Sequence, residues 1–194
     1  MPSALAKHLS AFYLYIDPNI PKDFQRVQQI MRENAGAFYT IYGESFKQDA
    51  AGTIDATVGD PIGYWFDSSD NLNHATQSTA LNKPLLQKEL SIGALFDADD
   101  VLQVTLPAIP VGTVIIGGVD GYFVQEAWSF AGGVLDIGPT EIAGLPVGLF
   151  EFVGLMSSIV IVGKALTAAE IKVITDYQNA LSPEGSTWQD LQDG

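Results

Sequence analysis

Short apolar runs separated by polar turns make up most of this chain. Leu9 to Ile16 (LSAFYLYI) is aromatic-rich and predicts a strand, which Asp17-Pro18-Asn19 ends. From Pro21 to Asn34 the spacing becomes helical. Phe24, Val27 and Met31 mark one face, Pro21 suits the first helical position and Asp23 lies in the first turn. Arg32 falls near the end, and Gly36 can supply the terminating conformation. Ala37 to Tyr42 returns to strand character. Beyond Leu90 the pattern predicts strands at Val101–Leu106, Gly112–Ile116, Tyr122–Trp128, Gly133–Ile137, Leu149–Val153 and Ser158–Val162. Asp120-Gly121 is a tight hairpin signal and Gly132-Gly133 a second turn. Thr167-Ala168-Ala169-Glu170 reads as a capping box, with Leu166 and Ile171 at the staple positions. The helix it opens runs to about Ala180, with Ile171, Ile174 and Tyr177 on one face. Strands so closely spaced suit an all-β, antiparallel sandwich carrying an N-terminal and a C-terminal helix.

Composition narrows this picture. A chain of 194 residues, 47% hydrophobic, can bury one sizeable core, and a single domain is expected over 1–194. Ser182 to Gly194 reads as an acidic tail. Without cysteine there is no disulfide framework and no thiolate metal site. No basic region leads into an apolar run and cleavage site, so no signal peptide is read and synthesis in a cytoplasm is expected. The apolar runs are too short to cross a bilayer. A net charge of −14 with nine Lys plus Arg leaves no basic face for nucleic acid or for an anionic membrane. Only 16% of residues are charged, against about 25% in ordinary soluble domains. So little charge suggests a surface partly covered in a homo-oligomer or larger assembly.

The stretch from Ser45 to Gln87 is the most specific. It has a turn-rich start, a G-D-P-x-G-x-W strand opening and a polar cluster from Asp67 to Gln77. It resembles the laminin G-like, concanavalin A-like sandwich module of bacteriophage and prophage virion proteins, whose pattern reads roughly QDxAGTxxVT and then GDPVGxWxDxSGNGxHATQxTAxxRPxLQ. The matching residues are Gln48, Asp49, Ala51, Gly52, Thr53, Gly59, Asp60, Pro61, Gly63, Trp65, Asp67, Ser69, Asn71, His74, Ala75, Thr76, Gln77, Thr79, Ala80, Pro84, Leu86 and Gln87. SIVIVGKALTAAEIKVITDYQNAL, ending at Leu181, is similar to the last strand and closing helix of the same module. The resemblance implies a concanavalin A-like sandwich of jelly-roll type over 45–181. Residues 1–44 then hold a strand matched by Tyr15-Ile16-Asp17-Pro18, followed by an inserted helix and strand. That insertion is either a docking element for a particle or a packing element of the sandwich.

Several residue groups could carry chemistry. Asp67, Ser69 and Asn71 alternate like the start of a calcium loop, but Leu72 stands where an EF-hand needs glycine and Ser78 where it needs glutamate. The better reading of Asp67 to His74 is short polar side chains bonding the backbone of a tight connection. The resembling pattern has glycine at the places of Asp70 and Leu72. Leucine adopts a positive φ poorly, so an altered loop is expected. Asp60, Trp65, Asp67, Asn71, His74 and Gln77 are thus expected to be structural motif residues. Phe96 to Leu102 resembles the module's FDGxDDxL segment, one residue short. If calcium binds, Asp97, Asp99 and Asp100 are the ligands expected; otherwise no cofactor is implied.

Enzyme signatures are missing from the sequence. It has no GxSxG, HExxH or P-loop string, and His8 and His74 are its only histidines. Glycosidases built on this sandwich carry E-x-D-x-E along one strand, and no such string occurs; Asp136 and Glu141 are separated by Gly138-Pro139. A non-enzyme is expected. Aromatic rings that could stack on sugars are Tyr64, Tyr122, Phe123, Trp65 and Trp128, of which Tyr122, Trp128 and Tyr64 form the candidate carbohydrate set. Tryptophan in an apolar strand more often packs in the core, and Tyr122, beside the hairpin tip, is the ring expected to be exposed. The function expected is a virion structural protein: a head decoration protein or a tail fibre, spike or adaptor subunit, contacting other capsid or tail proteins. The alternative is a lectin-like carbohydrate-binding module recognising host-surface glycans for host attachment.

Overall fold

The β1 strand (Gly36–Thr40) shows how the layers are arranged, because its successive side chains go to different partners. The Phe38 ring lies 5.6 Å from Phe24 and 5.6 Å from Tyr177, both on helices. The next residue, Tyr39, faces the other way, 5.6 Å from the Trp65 ring. A strand buried on both faces in this way has a helical layer on one side and a second sheet on the other.

This computed structural model describes residues 20–41, 45–88, 92–97, 99–118, 121–138 and 155–181. After α1 (Ile20–Met31) and β1 come three two-residue strands, β2 (Phe46–Lys47), β3 (Tyr64–Trp65) and β4 (Ala75–Thr76). Then follow β5 (Leu85–Lys88), β6 (Ile92–Leu95), β7 (Leu102–Leu106), β8 (Ile109–Gly118), β9 (Gly121–Phe130), β10 (Gly133–Ile137), β11 (Leu155–Val162) and α2 (Ala168–Leu181). The first sheet has the order β5-β6-β11-β8-β9, with β1 also paired to β11; the second has the order β10-β7-β4-β3-β2. All their pairings are antiparallel. The molecule is thus a β-sandwich whose first sheet also carries two packed helices.

Sequence pattern explains the layering. LQVTL in β7 alternates buried and exposed, as a strand covered on one face must. LMSSIVIV in β11 is buried throughout, because the second sheet covers one face and the helices the other. Val27 and Met31 of α1 and Ile174 and Tyr177 of α2 are buried in the same core. The predicted capping box forms: Thr167 Oγ1 accepts the Glu170 backbone N–H at 3.3 Å, and Glu170 Oε2 accepts the Thr167 backbone N–H at 2.9 Å.

Strands β7 and β8 continue into one another, as do β9 and β10. Leu106 pairs with Gly133 in the second sheet and Ile109 with Phe130 in the first. Together the four form one long hairpin folded across both sheets, with its corner at Pro107-Ala108 and Ala131-Gly132. Gly132 has φ +89°, and a Cβ there would lie 2.9 Å from the Ala108 nitrogen, so the two crossings need glycine to lie this close. At the far end Gly118 pairs with Gly121, as a tight hairpin requires; Asp120 itself lies outside the described residues. The predicted strands Leu9–Ile16 and Leu149–Val153, the tail and His8 also lie outside them. The segment read as an insertion supplies α1 and β1, and β1 pairs with β11 from Gly36↔Val162 to Thr40↔Ser158. The first sheet therefore includes residues that precede Ser45. Among the described residues no helix is long and apolar enough to cross a membrane.

Candidate functional site

The polar motif residues are occupied by their own chain. The Asp67 carboxylate, fully buried, accepts the backbone N–H groups of Phe38 (2.8 Å), Ser69 (2.9 Å) and Asn73 (2.8 Å) and the Ser69 hydroxyl (2.9 Å). Burial raises its pKa, while these bonds pull the other way. Around it, Asn71 Nδ2 donates to the carbonyls of Asn34 and Gly36, and Asn73 Nδ2 donates to Gly36. Upstream, Asp49 accepts the N–H groups of Thr53 and Ile54, and Asp60 accepts Thr57 N–H and Oγ1–H. The Ile54 amide, ahead of Thr53, lowers the Asp49 pKa, and the Thr57 hydroxyl, ahead of its amide, lowers that of Asp60. Gln77 spans Thr79 N–H and the Val101 carbonyl, both at 2.9 Å. Trp65 is completely buried, its Nε1–H donating to the Thr40 carbonyl at 3.1 Å. Leu72, where an altered loop was expected, takes the left-handed conformation all the same, at φ 59°.

One surface assembles chemistry from every strand of the second sheet. The inward residues Phe46, Trp65, Ala75, Leu102 and Leu135 are buried. Their outward neighbours form a cross-strand row. Lys47 pairs with Tyr64, Tyr64 with Thr76, Thr76 with Gln103, and Gln103 with Asp136. At neighbouring strand spacings of about 4.8 Å, five strands make this row about 19 Å long. Gln103 Nε2 donates to Asp136 Oδ1 at 2.8 Å, and Lys47 is ion-paired with Asp55.

Three rings sit along this row. The His74 ring centroid lies 5.0 Å from Tyr64 and 4.8 Å from Phe66, with tilts of 32° to each. Phe66 is 42% exposed, while Tyr64 and His74 are half-buried. His74 Nδ1 accepts the Asp67 backbone N–H at 3.1 Å, and burial lowers its pKa, so the neutral ring carries its proton on Nε2. Burial raises the Tyr64 pKa, with the Asp67 charge adding to it. The phenol and imidazole are therefore neutral groups able to donate and accept hydrogen bonds to hydroxyls.

The candidate carbohydrate residues do not come together. Tyr64 is in this row, but Tyr122 stands on β9 of the first sheet. Trp128 is 5% exposed and stacked on Phe130 at 5.8 Å and 9°, so it packs instead of presenting a face. Phe66, Gln103 and Asp136 were not anticipated as site residues. Alternation in YWF, LQVTL and GVLDI signals which of them point outward, but their register does not show in the sequence. The Asp97 and Asp100 carboxylates bond the backbone of their own turn, which also holds Asp99: Asp100 Oδ2 accepts Asp97 N–H at 2.8 Å and Asp97 Oδ1 accepts Asp99 N–H at 3.2 Å. Burial raises the Asp100 pKa, with the Asp97 and Asp99 charges adding. Among the described residues no three or more His, Cys, Asp or Glu are grouped to hold a metal ion. No family model, curated protein or solved structure matches this chain.

Proposed function

We propose that this chain is a structural subunit of a bacteriophage or prophage virion, a compact head-decoration or tail-adaptor sandwich of concanavalin A-like, jelly-roll type. The observation that carries this reading is the use made of the Ser45–Gln87 motif. Its carboxylates and amides hold the chain's own backbone, with Asp67 alone accepting four bonds. A motif spent on rigidity suits a packing unit, and a charged fraction of 16% suits a surface covered by neighbours. The test is mass spectrometry of particles purified on a density gradient from a host carrying the gene. The chain in stoichiometric amount in the particle band supports the reading; its absence from that band overturns it.

A second reading is favoured by the exposed row of the second sheet. It is glycan binding, with Tyr64, His74 and Phe66 as the stacking platform and Thr76, Gln103 and Asp136 as hydrogen-bonding groups. Titration with host-surface polysaccharide, followed by calorimetry, tests it. Tyr64→Ala and Gln103→Ala should each weaken binding at least tenfold, about 1.4 kcal/mol. Tyr122→Ala should leave it unchanged. Equal affinity in all three variants would sink this reading while leaving the virion role standing. Repeating the titration with a calcium chelator tests Asp97, Asp99 and Asp100 as ligands.

A further inference from the structure

Two opposite hydrogen bonds close the turn from Asp67 to His74. The Asp67 carboxylate accepts the Asn73 backbone N–H at 2.8 Å, and the Asp67 backbone N–H donates to His74 Nδ1 at 3.1 Å. The second bond needs a bare ring nitrogen, which a neutral imidazole has and an imidazolium lacks. Turning the ring over gives no remedy, because both nitrogens of an imidazolium carry hydrogen. At this distance a protonated Nδ1 would set its hydrogen against that of the amide. The turn is also strained: Leu72 within it is left-handed at φ 59° and 68% exposed. Opening the turn releases that strain.

The groups around the ring are few. Tyr64 of β3 and Phe66 just beyond it lie at 5.0 and 4.8 Å, and Asp67 supplies the negative charge that acts on the imidazole. Lys47 of β2 is ion-paired with Asp55 and acts on Tyr64. Thr76 of β4 and Gln103 of β7 are uncharged, and Asp136 of β10 lies beyond them, bonded to Gln103. From β1, Tyr39 donates its hydroxyl to the Asn73 carbonyl at 2.6 Å, and Arg32 pairs with Asp70 of the turn at 3.6 Å. Burial outweighs the Asp67 charge and holds the His74 pKa below its usual value, so the ring is neutral at neutral pH and charges in acid. We propose that His74 is an acid-operated latch: a proton on Nδ1 turns the acceptor into a donor, drives the ring from its place beside Tyr64 and Phe66, and frees the Asp67–His74 turn on the outer face of the second sheet. That face then gains a positive charge and uncovers two aromatic rings. The latch works whether or not a glycan binds there.

Heteronuclear NMR on the isotope-labelled full chain, titrated from neutral pH into acid, tests this. At neutral pH His74 should show the Nε2–H tautomer. Through the imidazole titration the exchange protection of the Asp67 amide, corrected for the intrinsic pH dependence of exchange, should fall about tenfold, the worth of one hydrogen bond. The midpoint should be that of the ring, and the amides of β11 should keep their protection. His74→Asn offers an amide oxygen in place of Nδ1 and does not titrate, so in that variant the Asp67 amide should stay protected over the same range. If His74→Asn loses the native spectrum, the wild-type titration decides alone. An Asp67 amide equally protected before and after the ring titrates overturns the inference. So does an Nδ1–H tautomer at neutral pH, or a loss that β11 shares. The same acid loss in His74→Asn overturns it too, assigning the change to the Asp67 carboxylate.

Discussion

The Asp67 carboxylate accepts the backbone N–H of Phe38 at 2.8 Å, joining β1 to a turn 29 residues later in the chain. Three more donors converge on the same two oxygens, so removing the side chain strands several buried donors at once. Asp67→Ala should cost about 3–5 kcal/mol, because each buried donor left unpaired costs about 1–3 kcal/mol. Asp67→Asn keeps one acceptor and should fall between that variant and the wild type. Urea denaturation monitored by tryptophan fluorescence measures both, and a loss below about 1 kcal/mol would show that water replaces the carboxylate.

Gly36 has φ +133°, and a Cβ there would fall 1.9 Å from the Ile161 carbonyl oxygen. The contact is with backbone, which no rotamer change relieves. Gly36→Ala should therefore destabilise the fold by roughly 2–4 kcal/mol through strain and overlap, seen as a lower thermal midpoint.

Leu72 is the opposite case. It is 68% exposed and left-handed, so its side chain gains little from its position while its backbone is strained. Leu72→Gly should leave the turn intact and raise stability by about 0.5–1 kcal/mol, the strain relieved exceeding glycine's extra entropy in the unfolded chain. A lower melting temperature would show that leucine holds a contact there.

Acid should weaken the α2 cap. The Lys164 ammonium, with the Thr167 amide, lowers the Glu170 pKa to about 2 from 4.5. A depressed carboxylate stabilises above its unfolded value, and that contribution is lost as pH falls through the folded one. Wild-type thermal midpoints should thus decline more steeply than those of Glu170→Gln between pH 4.5 and about 2. Parallel curves would mean that the cap has no energetic role.

A chain lacking residues 1–44 should fail to fold cooperatively. It loses β1, the Phe38 amide that Asp67 accepts and the Phe38 face on which Phe24 and Tyr177 meet. Loss of particle incorporation by such a truncation would therefore report misfolding, so a docking test needs point substitutions on the outer face of α1. A sharp, native-like melt from the truncated chain would contradict this account.

Local pattern explains what was legible in the sequence. LQVTL and GVLDI alternate with period two, and both strands lie where that alternation puts them. Thr167 and Glu170 satisfy each other across three residues, so their cap needs no tertiary information. Helix α1 ends at Met31, before the predicted Asn34. The two-residue strands β2 and β4 escaped notice because neighbours distant in sequence define them, and β3, legible only as the G-D-P-x-G-x-W strand opening, takes its place the same way: Tyr64 faces Lys47 and Thr76. The exposed row was hidden for the same reason. Outward direction is a local property, but alignment of Tyr64, Thr76, Gln103 and Asp136 depends on registers between separate segments.

The folded hairpin of β7 to β10 gives both sheets a common ruler. Its two arms are near neighbours in sequence, so they can zip early, whereas β1 must wait for β11 from the far end of the chain. A slip of one residue between the arms would turn Leu135 outward and Asp136 inward in the second sheet. In the first sheet the same slip would shift Ile115 and Ile116 against β9. An error in counting at the hairpin tip would thus spoil at a stroke both the interior between the sheets and the face of the first sheet on which α2 packs.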